Sequence, residues 1–121
     1  MGQLLQFSTT MELLRLPADS VVCITADGNY STIMMADSGT YVLTMQLGHI
    51  EHRIAEILSE DQNPFIRIGK SLIINHDFIT SINPQRQKLI LSDGRTFRKE
   101  VTASKESLRK LKEILEKEVE I

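Results

Sequence analysis

The 121-residue sequence lacks the marks of disulfide-bonded, membrane-spanning and secreted proteins. Its single cysteine, Cys23, excludes an internal disulfide and lies in an apolar run, which predicts a buried thiol in a reducing compartment. No apolar run approaches the roughly 20 residues of a membrane helix, and the N-terminus lacks a basic and then apolar signal segment. We therefore expect a cytoplasmic protein with no membrane partner, folded as one domain over residues 1–121.

The chain also lacks an excess of positive charge, since its net charge is −2. The distribution is uneven, however. Residues 1–61 hold two basic and eight acidic residues, a net of −6, whereas residues 62–99 hold seven basic and two acidic residues, a net of +5. Such asymmetry can mark a polyanion-binding face on a chain of acidic pI. The alternative is that these basic residues are only solvated charges in loops.

Enzyme motifs are also missing. The Gly-Lys-Ser step at residues 69–71 has the order that ends a phosphate-binding loop, but that motif needs a glycine where this chain has Pro64. His49 and His52 have a spacing that can bind metal on a helix, but no third ligand stands at a recognisable spacing. We therefore predict no enzyme activity, no cofactor and no metal.

The pattern that is present is mainly β. Short runs rich in branched residues predict strands on both sides of residues 69–71 and at residues 13–16, 21–25, 30–35, 40–43, 79–82, 88–92 and 95–98. The runs from 13 to 43 predict an antiparallel meander, and Asp93-Gly94 predicts a tight hairpin between the last two strands. Residues 3–7 are compatible with a short strand or with the remnant of a linker over residues 1–10.

Two segments change to the helical period. The first helix is predicted over residues 47–58, with Thr44 as its N-cap and Asn63-Pro64 as a barrier to continuation. The second helix is predicted to begin after Thr102 or Ser104.

A specific ordered set of motifs covers about residues 13–111. It consists of Asp27-Gly28-Asn29-Tyr30, a helix from near Met45, Phe65-x-Arg67-x-Gly69-Lys70-Ser71-Leu72-Ile73-Ile74-Asn75 followed by Ile79 and Ile82, and Leu91-Ser92-Asp93-Gly94. This set resembles the LytTR-type DNA-binding domain of bacterial response regulators. The resemblance implies an elongated stack of small antiparallel sheets, with one short internal helix and a C-terminal helix. It also implies sequence-specific binding of double-stranded DNA for transcriptional regulation, through loops in the major groove and often as a homodimer on repeated sites.

The resemblance implies DNA contacts from three loops, which hold Asn29 and Tyr30; Gly69, Lys70 and Ser71; and Ser104 and Lys105. The family usually has His at the position of Gly69 and Arg at that of Lys105, and Lys lacks the bidentate fork of Arg. Phe65 is expected in the core and Asn75 as a turn former. Arg67, Arg98 and Lys99 join the predicted DNA contacts because cations in or beside loops suit phosphate binding.

No receiver-like domain is present, so we expect a stand-alone member or a fragment of a protein with an upstream receiver or sensor domain. The alternative function is a protein-interaction module with the same fold that has lost DNA affinity. The net charge, Gly69 and Lys105 favour that alternative.

Overall fold

The structure, a computed structural model, describes residues 2–118. In chain order the described strands and α-helices are β1 (Leu4–Ser8), β2 (Leu13–Pro17), β3 (Val21–Asp27), β4 (Tyr30–Met35), β5 (Thr40–Leu43), α1 (Leu47–Ile57), β6 (Phe65–Ile68), β7 (Leu72–Asn75), β8 (Ile79–Asn83), β9 (Lys88–Ser92), β10 (Arg98–Thr102) and α2 (Lys105–Glu118). The chain divides into two compact units, residues 1–76 and residues 77–121. The predicted class, mainly β with small antiparallel sheets and two helices, is confirmed.

The first unit is built on a five-stranded antiparallel sheet with the order β5-β4-β3-β7-β6. The predicted meander is present for β3, β4 and β5. A two-residue turn connects β3 to β4 between the paired residues Asp27 and Tyr30, and Gly28 in this turn has a φ of 63°. On its other side β3 pairs with β7, with Thr25 opposite Leu72. Since β3 is central, its residues 21–24 are all buried, including the thiol of Cys23.

The prediction that β2 belongs to this meander is wrong. β2 pairs with β1 in a separate two-stranded sheet, with Leu5 opposite Leu16. The edge of β3 that β2 would need is occupied by β7. A 3-10 turn at Ala18–Ser20 follows β2, and the Ala18 amide donates to the Gln3 carbonyl at 2.8 Å. Residues 4–8 are thus a strand, one of the two alternatives that the sequence left open.

The core of the first unit lies around α1. Leu47, Ile50 and Ile54 are buried on the predicted apolar face of this helix, which packs against β1 of the small sheet and against β3 and β7 of the larger one. Phe65 packs against the same core, as predicted. α1 is therefore fixed to both sheets of this unit.

The N-cap prediction for α1 is wrong, because the cap position is held by Gln46 rather than Thr44. Gln46 has an extended backbone and makes no side-chain capping bond. The Ser31 hydroxyl donates to the Met45 carbonyl at 2.7 Å, which ties the segment before the helix to β4. This tertiary contact delays the start of the helix beyond the position that Thr44 would set.

The second unit contains the antiparallel sheet β10-β9-β8 and α2. Leu89 and Leu91 of β9 and Leu108 and Leu111 of α2 are buried, and α2 packs against β8. The Ser104 hydroxyl accepts a hydrogen bond of 3.1 Å from the Ser107 amide, so Ser104 is the N-cap of α2, one of the two predicted residues.

The tight hairpin predicted at Asp93-Gly94 is replaced by a longer loop, and β10 begins at Arg98 rather than at Arg95. The Asp93 carboxylate accepts backbone N–H bonds from Arg95, Thr96 and Phe97 at 2.9, 2.7 and 3.2 Å. These amides cannot then serve the strand ladder. A bond from the Thr96 hydroxyl, followed by the Arg95 amide, holds the pKa of Asp93 well below its usual range.

Within residues 2–118, no helix is both long and apolar enough to cross a membrane.

Candidate nucleic-acid interface

Two of the three predicted DNA-binding loops lie side by side at one end of the five-stranded sheet. They are the turn between β3 and β4, which holds Asn29, and the turn of residues 69–71 between β6 and β7. Because β3 and β7 are neighbours, the Ala26 amide donates to the Ser71 carbonyl at 2.9 Å across the gap between the turns. We call this pair of turns the turn cluster.

The turn of residues 69–71 projects from a regular ladder, since Ile68 pairs with Leu72 directly below it. Gly69 has a φ of 60°, a left-handed conformation that glycine adopts with little strain. Lys70 and Ser71 are exposed. Within the described residues the Lys70 ammonium makes no ion pair, so it is available to an external anion.

The turn between β3 and β4 is held at its tip. The Asn29 side-chain oxygen accepts a hydrogen bond of 3.3 Å from the Gln46 side-chain amide, just before α1. Among residues 2–118 the Asn29 amide nitrogen donates no hydrogen bond, so its two N–H groups are open to an external acceptor. Tyr30 is 50% exposed at the start of β4, so its side chain is accessible from solvent.

Arg67 is already engaged inside the first unit. Its Nη1 lies 2.9 Å from Glu51 Oε1 on α1, and its Nη2 donates to the Lys70 carbonyl at 3.0 Å. Its Nε is buried and makes no hydrogen bond within the described residues. The arrangement connects α1 to the turn of residues 69–71, and direct contact of Arg67 with DNA stays a prediction.

The third predicted loop lies in the second unit, at the start of α2. Ser104 holds the N-cap position described above, and its hydroxyl also lies 2.8 Å from that of Ser107. Lys105 is the first residue of α2 and is exposed. The cap fixes the backbone that carries Lys105, whose side chain extends from an ordered position.

Arg98 and Lys99 lie within β10 rather than in a loop, because Asp93 keeps residues 95–97 out of the strand. Arg98 is exposed and Lys99 is half-buried. Next to them, Lys88 donates to Glu100 at 3.0 Å. This bond and the charge of Lys88, with a smaller effect of Arg98, lower the pKa of Glu100.

Arg98 also lines a shallow depression with Arg95, beside the loop that Asp93 organises. Both arginines are exposed, so this depression presents two guanidinium groups on the second unit.

The two histidines of α1 do not form a recognisable metal site. His52 is exposed and lies 3.8 Å from Glu56, one turn further along the helix. Among residues 2–118, no group of three or more His, Cys, Asp or Glu side chains has a metal-binding arrangement.

Asn75 has a structural role at the end of β7. It is the last residue of β7 and fully buried, and its side-chain nitrogen donates to the Val21 carbonyl at 2.9 Å. It therefore ties β7 to β3, and it directly precedes the 3-10 turn His76–Phe78.

Sequence reasoning missed Gln46 and Glu51, the partners of Asn29 and Arg67. Both contacts join residues that are far apart in the sequence, 17 and 16 positions respectively. A Gln or a Glu near the start of a surface helix carries no local signal for such a contact, because exposed helices commonly present both residue types.

The comparisons with known proteins agree with this architecture. The sequence model of the family described as LytTr DNA-binding domain matches residues 11–116 and so extends over both units. A solved structure, the LytTr DNA-binding domain of a response regulator from Bacillus cereus, is similar to this chain with a TM-score of 0.61 and 21% identity. The similarity covers 95% of this chain and 98% of that chain, and at this identity it concerns the fold. No curated protein matches the chain.

The family match covers far more than half of the sequence, and the structure has the small antiparallel sheets and two helices that the motifs imply. This chain belongs to the LytTR family of DNA-binding domains.

Proposed function

We propose that this chain binds double-stranded DNA sequence-specifically in transcriptional regulation, with its loops entering the major groove. The observation that carries the proposal is the turn cluster, in which the exposed Lys70 and the side-chain amide of Asn29 lie on adjacent turns. Loops held by rigid sheets are common recognition surfaces. Family membership supports the same function.

The side chains of the turn cluster have suitable chemistry for both kinds of DNA contact. Lys70 can donate to phosphate or to the acceptors on the major-groove edge of guanine, and Asn29 can pair with adenine. The Ser71 hydroxyl and the exposed Tyr30 hydroxyl can add phosphate contacts. Gly69 adds no side chain and allows DNA to approach the backbone closely.

In the second unit we propose that Lys105 contacts DNA from the start of α2, where Ser104 fixes the backbone. Arg98 and Lys99 are further proposed contacts, and Arg98 has Arg95 beside it. The proposed contacts therefore come from both units.

We further propose a homodimer on repeated DNA sites and an upstream receiver or sensor domain. The resemblance to DNA-binding domains of response regulators supports both proposals. A role in binding alone, without catalysis, is part of the same proposal, and family membership supports it.

One observation favours a second candidate, a protein-interaction module of the same fold. The turn cluster lies in an acidic unit, because residues 1–76 hold four basic and eight acidic residues, a net of −4. Glu51 also neutralises Arg67, the nearest guanidinium to Lys70 in the described contacts. A partner recognised mainly by hydrogen bonds would tolerate this charge better than DNA does.

Salt dependence distinguishes the two functions. The chain is titrated into a fluorescent pool of random duplexes, and anisotropy is followed between about 50 and 200 mM salt. DNA binding predicts an affinity that falls steeply with salt, because phosphate contacts release counterions. Undetectable or salt-independent binding would favour the interaction module.

Lys70→Ala identifies the surface used in that titration. On a duplex selected from the random pool, we expect it to weaken binding by about 1–3 kcal/mol if Lys70 contacts a base. Lys112→Ala is the matched control, because it removes the same charge from an exposed residue of α2 that pairs with Glu116 at 2.8 Å. Equal losses in both variants would mean that Lys70 contributes only general charge.

A further inference from the structure

We propose that Glu51, an acidic residue on α1, increases DNA affinity by holding Arg67 in place as a support for the turn of residues 69–71. The inference rests on the proposed function and extends it to a positioning residue. It predicts an unusual direction for the change in DNA affinity, since removal of this negative charge should weaken binding to a polyanion.

The geometry forms a continuous link from the helix to the turn. Glu51 Oε1 lies 2.9 Å from Arg67 Nη1, and Arg67 Nη2 donates to the Lys70 carbonyl at 3.0 Å. The Arg67 side chain is only 26% exposed, whereas the Glu51 side chain is 52% exposed. One planar guanidinium thus joins a carboxylate of α1 to the backbone of the residue whose ammonium faces solvent.

The Nε of Arg67 is buried and makes no hydrogen bond within the described residues. A buried N–H group without a partner is unfavourable, because it has lost its hydrogen bond to water. The two Nη contacts compensate by fixing the guanidinium. Without the Glu51 carboxylate, Arg67 keeps only its bond to the Lys70 carbonyl, which is an uncharged acceptor. Bonds to charged acceptors are stronger, so the guanidinium is then held less firmly.

The flanking strand pair and the bond from the Ala26 amide to the Ser71 carbonyl fix the ends of the turn, and the contact from Arg67 adds a constraint at Lys70 between them. Glycine is the most flexible residue type, and Gly69 has a positive φ, while Lys70 and Ser71 are exposed. A turn that is ordered before DNA arrives loses less conformational entropy on binding. Glu51 and Arg67 therefore preorganise the turn without needing to touch DNA themselves.

The test compares two substitutions that remove one negative charge each from α1. Glu51→Gln removes the charge from the acceptor of the Arg67 bond and so weakens that link. Glu56→Gln removes a carboxylate that pairs with His52 and Arg53 and has the same 52% side-chain exposure. Affinity for the random duplex pool is measured across the salt range, with Lys70→Ala alongside. We expect Glu51→Gln to bind about three to ten times more weakly than Glu56→Gln.

Two further readouts separate positioning from general destabilisation and from direct contact. Glu51→Gln should leave the slope of affinity against salt unchanged, whereas Lys70→Ala should make that slope shallower by about 1 if Lys70 contacts a phosphate. The backbone amide resonances of residues 69–71 should shift or broaden in Glu51→Gln and keep their positions in Glu56→Gln. Arg67→Lys keeps the charge but loses the fork, so it should weaken binding as Glu51→Gln does.

The outcomes distinguish this inference from the proposed function. Wild-type protein that shows no salt-dependent binding overturns both. Normal wild-type binding, together with Glu51→Gln that binds as tightly as Glu56→Gln or more tightly, overturns the role of Glu51 alone. A steeper salt slope in Glu51→Gln also overturns it, because the released Arg67 would then be a phosphate contact.

Discussion

The backbone amide of Ala26 donates a 2.9 Å hydrogen bond to the carbonyl of Ser71, which joins two turns that are far apart in the sequence. The bond continues the pairing of β3 with β7, where Thr25 lies opposite Leu72. Neither turn alone presents more than two or three polar groups. Their combination at one end of a rigid sheet creates the surface that we propose for DNA.

Gly69 should be required for the stability of this surface. Gly69→Ala places a Cβ at a φ of 60°, so we expect the free energy of unfolding to fall by about 1 kcal/mol. Urea denaturation measures the change. Gly48→Ala is the control, because Gly48 is helical and its new Cβ would meet only Arg67 Nη1, at an ordinary 3.8 Å.

The control should leave stability unchanged or raise it by up to about 1 kcal/mol, since alanine is the better helix former. Equal effects of the two substitutions would contradict the left-handed conformation of Gly69.

Asp93 should make the second unit sensitive to acid. Its pKa is lower in the folded chain than in the unfolded chain, so the ionised carboxylate stabilises the fold above the unfolded pKa of about 4. This stabilisation is lost as the pH falls from about 4 towards the lower folded pKa. Asp93→Asn should therefore be less stable than wild type at neutral pH, and the difference should narrow in acid.

Thermal unfolding at a series of pH values tests this dependence. Asp61→Asn, which removes an exposed carboxylate from a 3-10 turn of the first unit, serves as the control and should differ little from wild type. The difference in melting temperature between wild type and Asp93→Asn is compared from neutral pH to well below pH 4. If that difference stays constant, the ionised carboxylate does not stabilise the fold.

Lys105 is a site where affinity can be gained. Lys105→Arg restores the bidentate fork at an exposed position held by the N-cap, so we expect DNA binding to tighten by about two- to tenfold. Lys110→Arg makes the same change at an exposed residue of α2 that pairs with Glu106 at 3.5 Å. Anisotropy titrations at one salt concentration compare the two variants with wild type. If Lys105→Arg and Lys110→Arg bind DNA with equal affinity, Lys105 is removed from the proposed contacts.

Much of the fold follows from local patterns. β4 and β5 have the predicted bounds, because turn residues at Gly28 and Gly39 separate runs of branched residues. The helix predicted over residues 47–58 is observed as Leu47–Ile57, since its apolar spacing matches one buried face. These elements are set by signals that lie within a few residues of each other.

The incorrect predictions of strand pairing and element bounds are explained by contacts in the tertiary structure. The pairing of β2 with β1 depends on which strand occupies the edge of β3, and the late start of α1 depends on the bond between Ser31 and Met45. The delayed β10 reflects several amides that converge on Asp93, where the Asp-Gly pair alone indicated a two-residue hairpin.

The candidate site could likewise be predicted only in part from the sequence. Lys70 and Asn29 were predicted from motifs and have exposed positions in the turn cluster. The contacts that orient them, from Glu51 through Arg67 and from Gln46, join segments that no local pattern connects. Sequence could thus suggest the proposed contact residues but not the residues that bond to them.

A map of backbone amide perturbations on DNA binding tests the proposed interface most directly. Isotope-labelled protein is titrated with a duplex selected from the random pool, and chemical shifts are followed residue by residue. We predict that the largest changes fall on residues 27–30 and 69–71 and on Lys105, with little change on the exposed face of α1 around Glu56. Saturable binding that perturbs α1 or the edge strand β5 and leaves both turns unchanged would contradict the proposal.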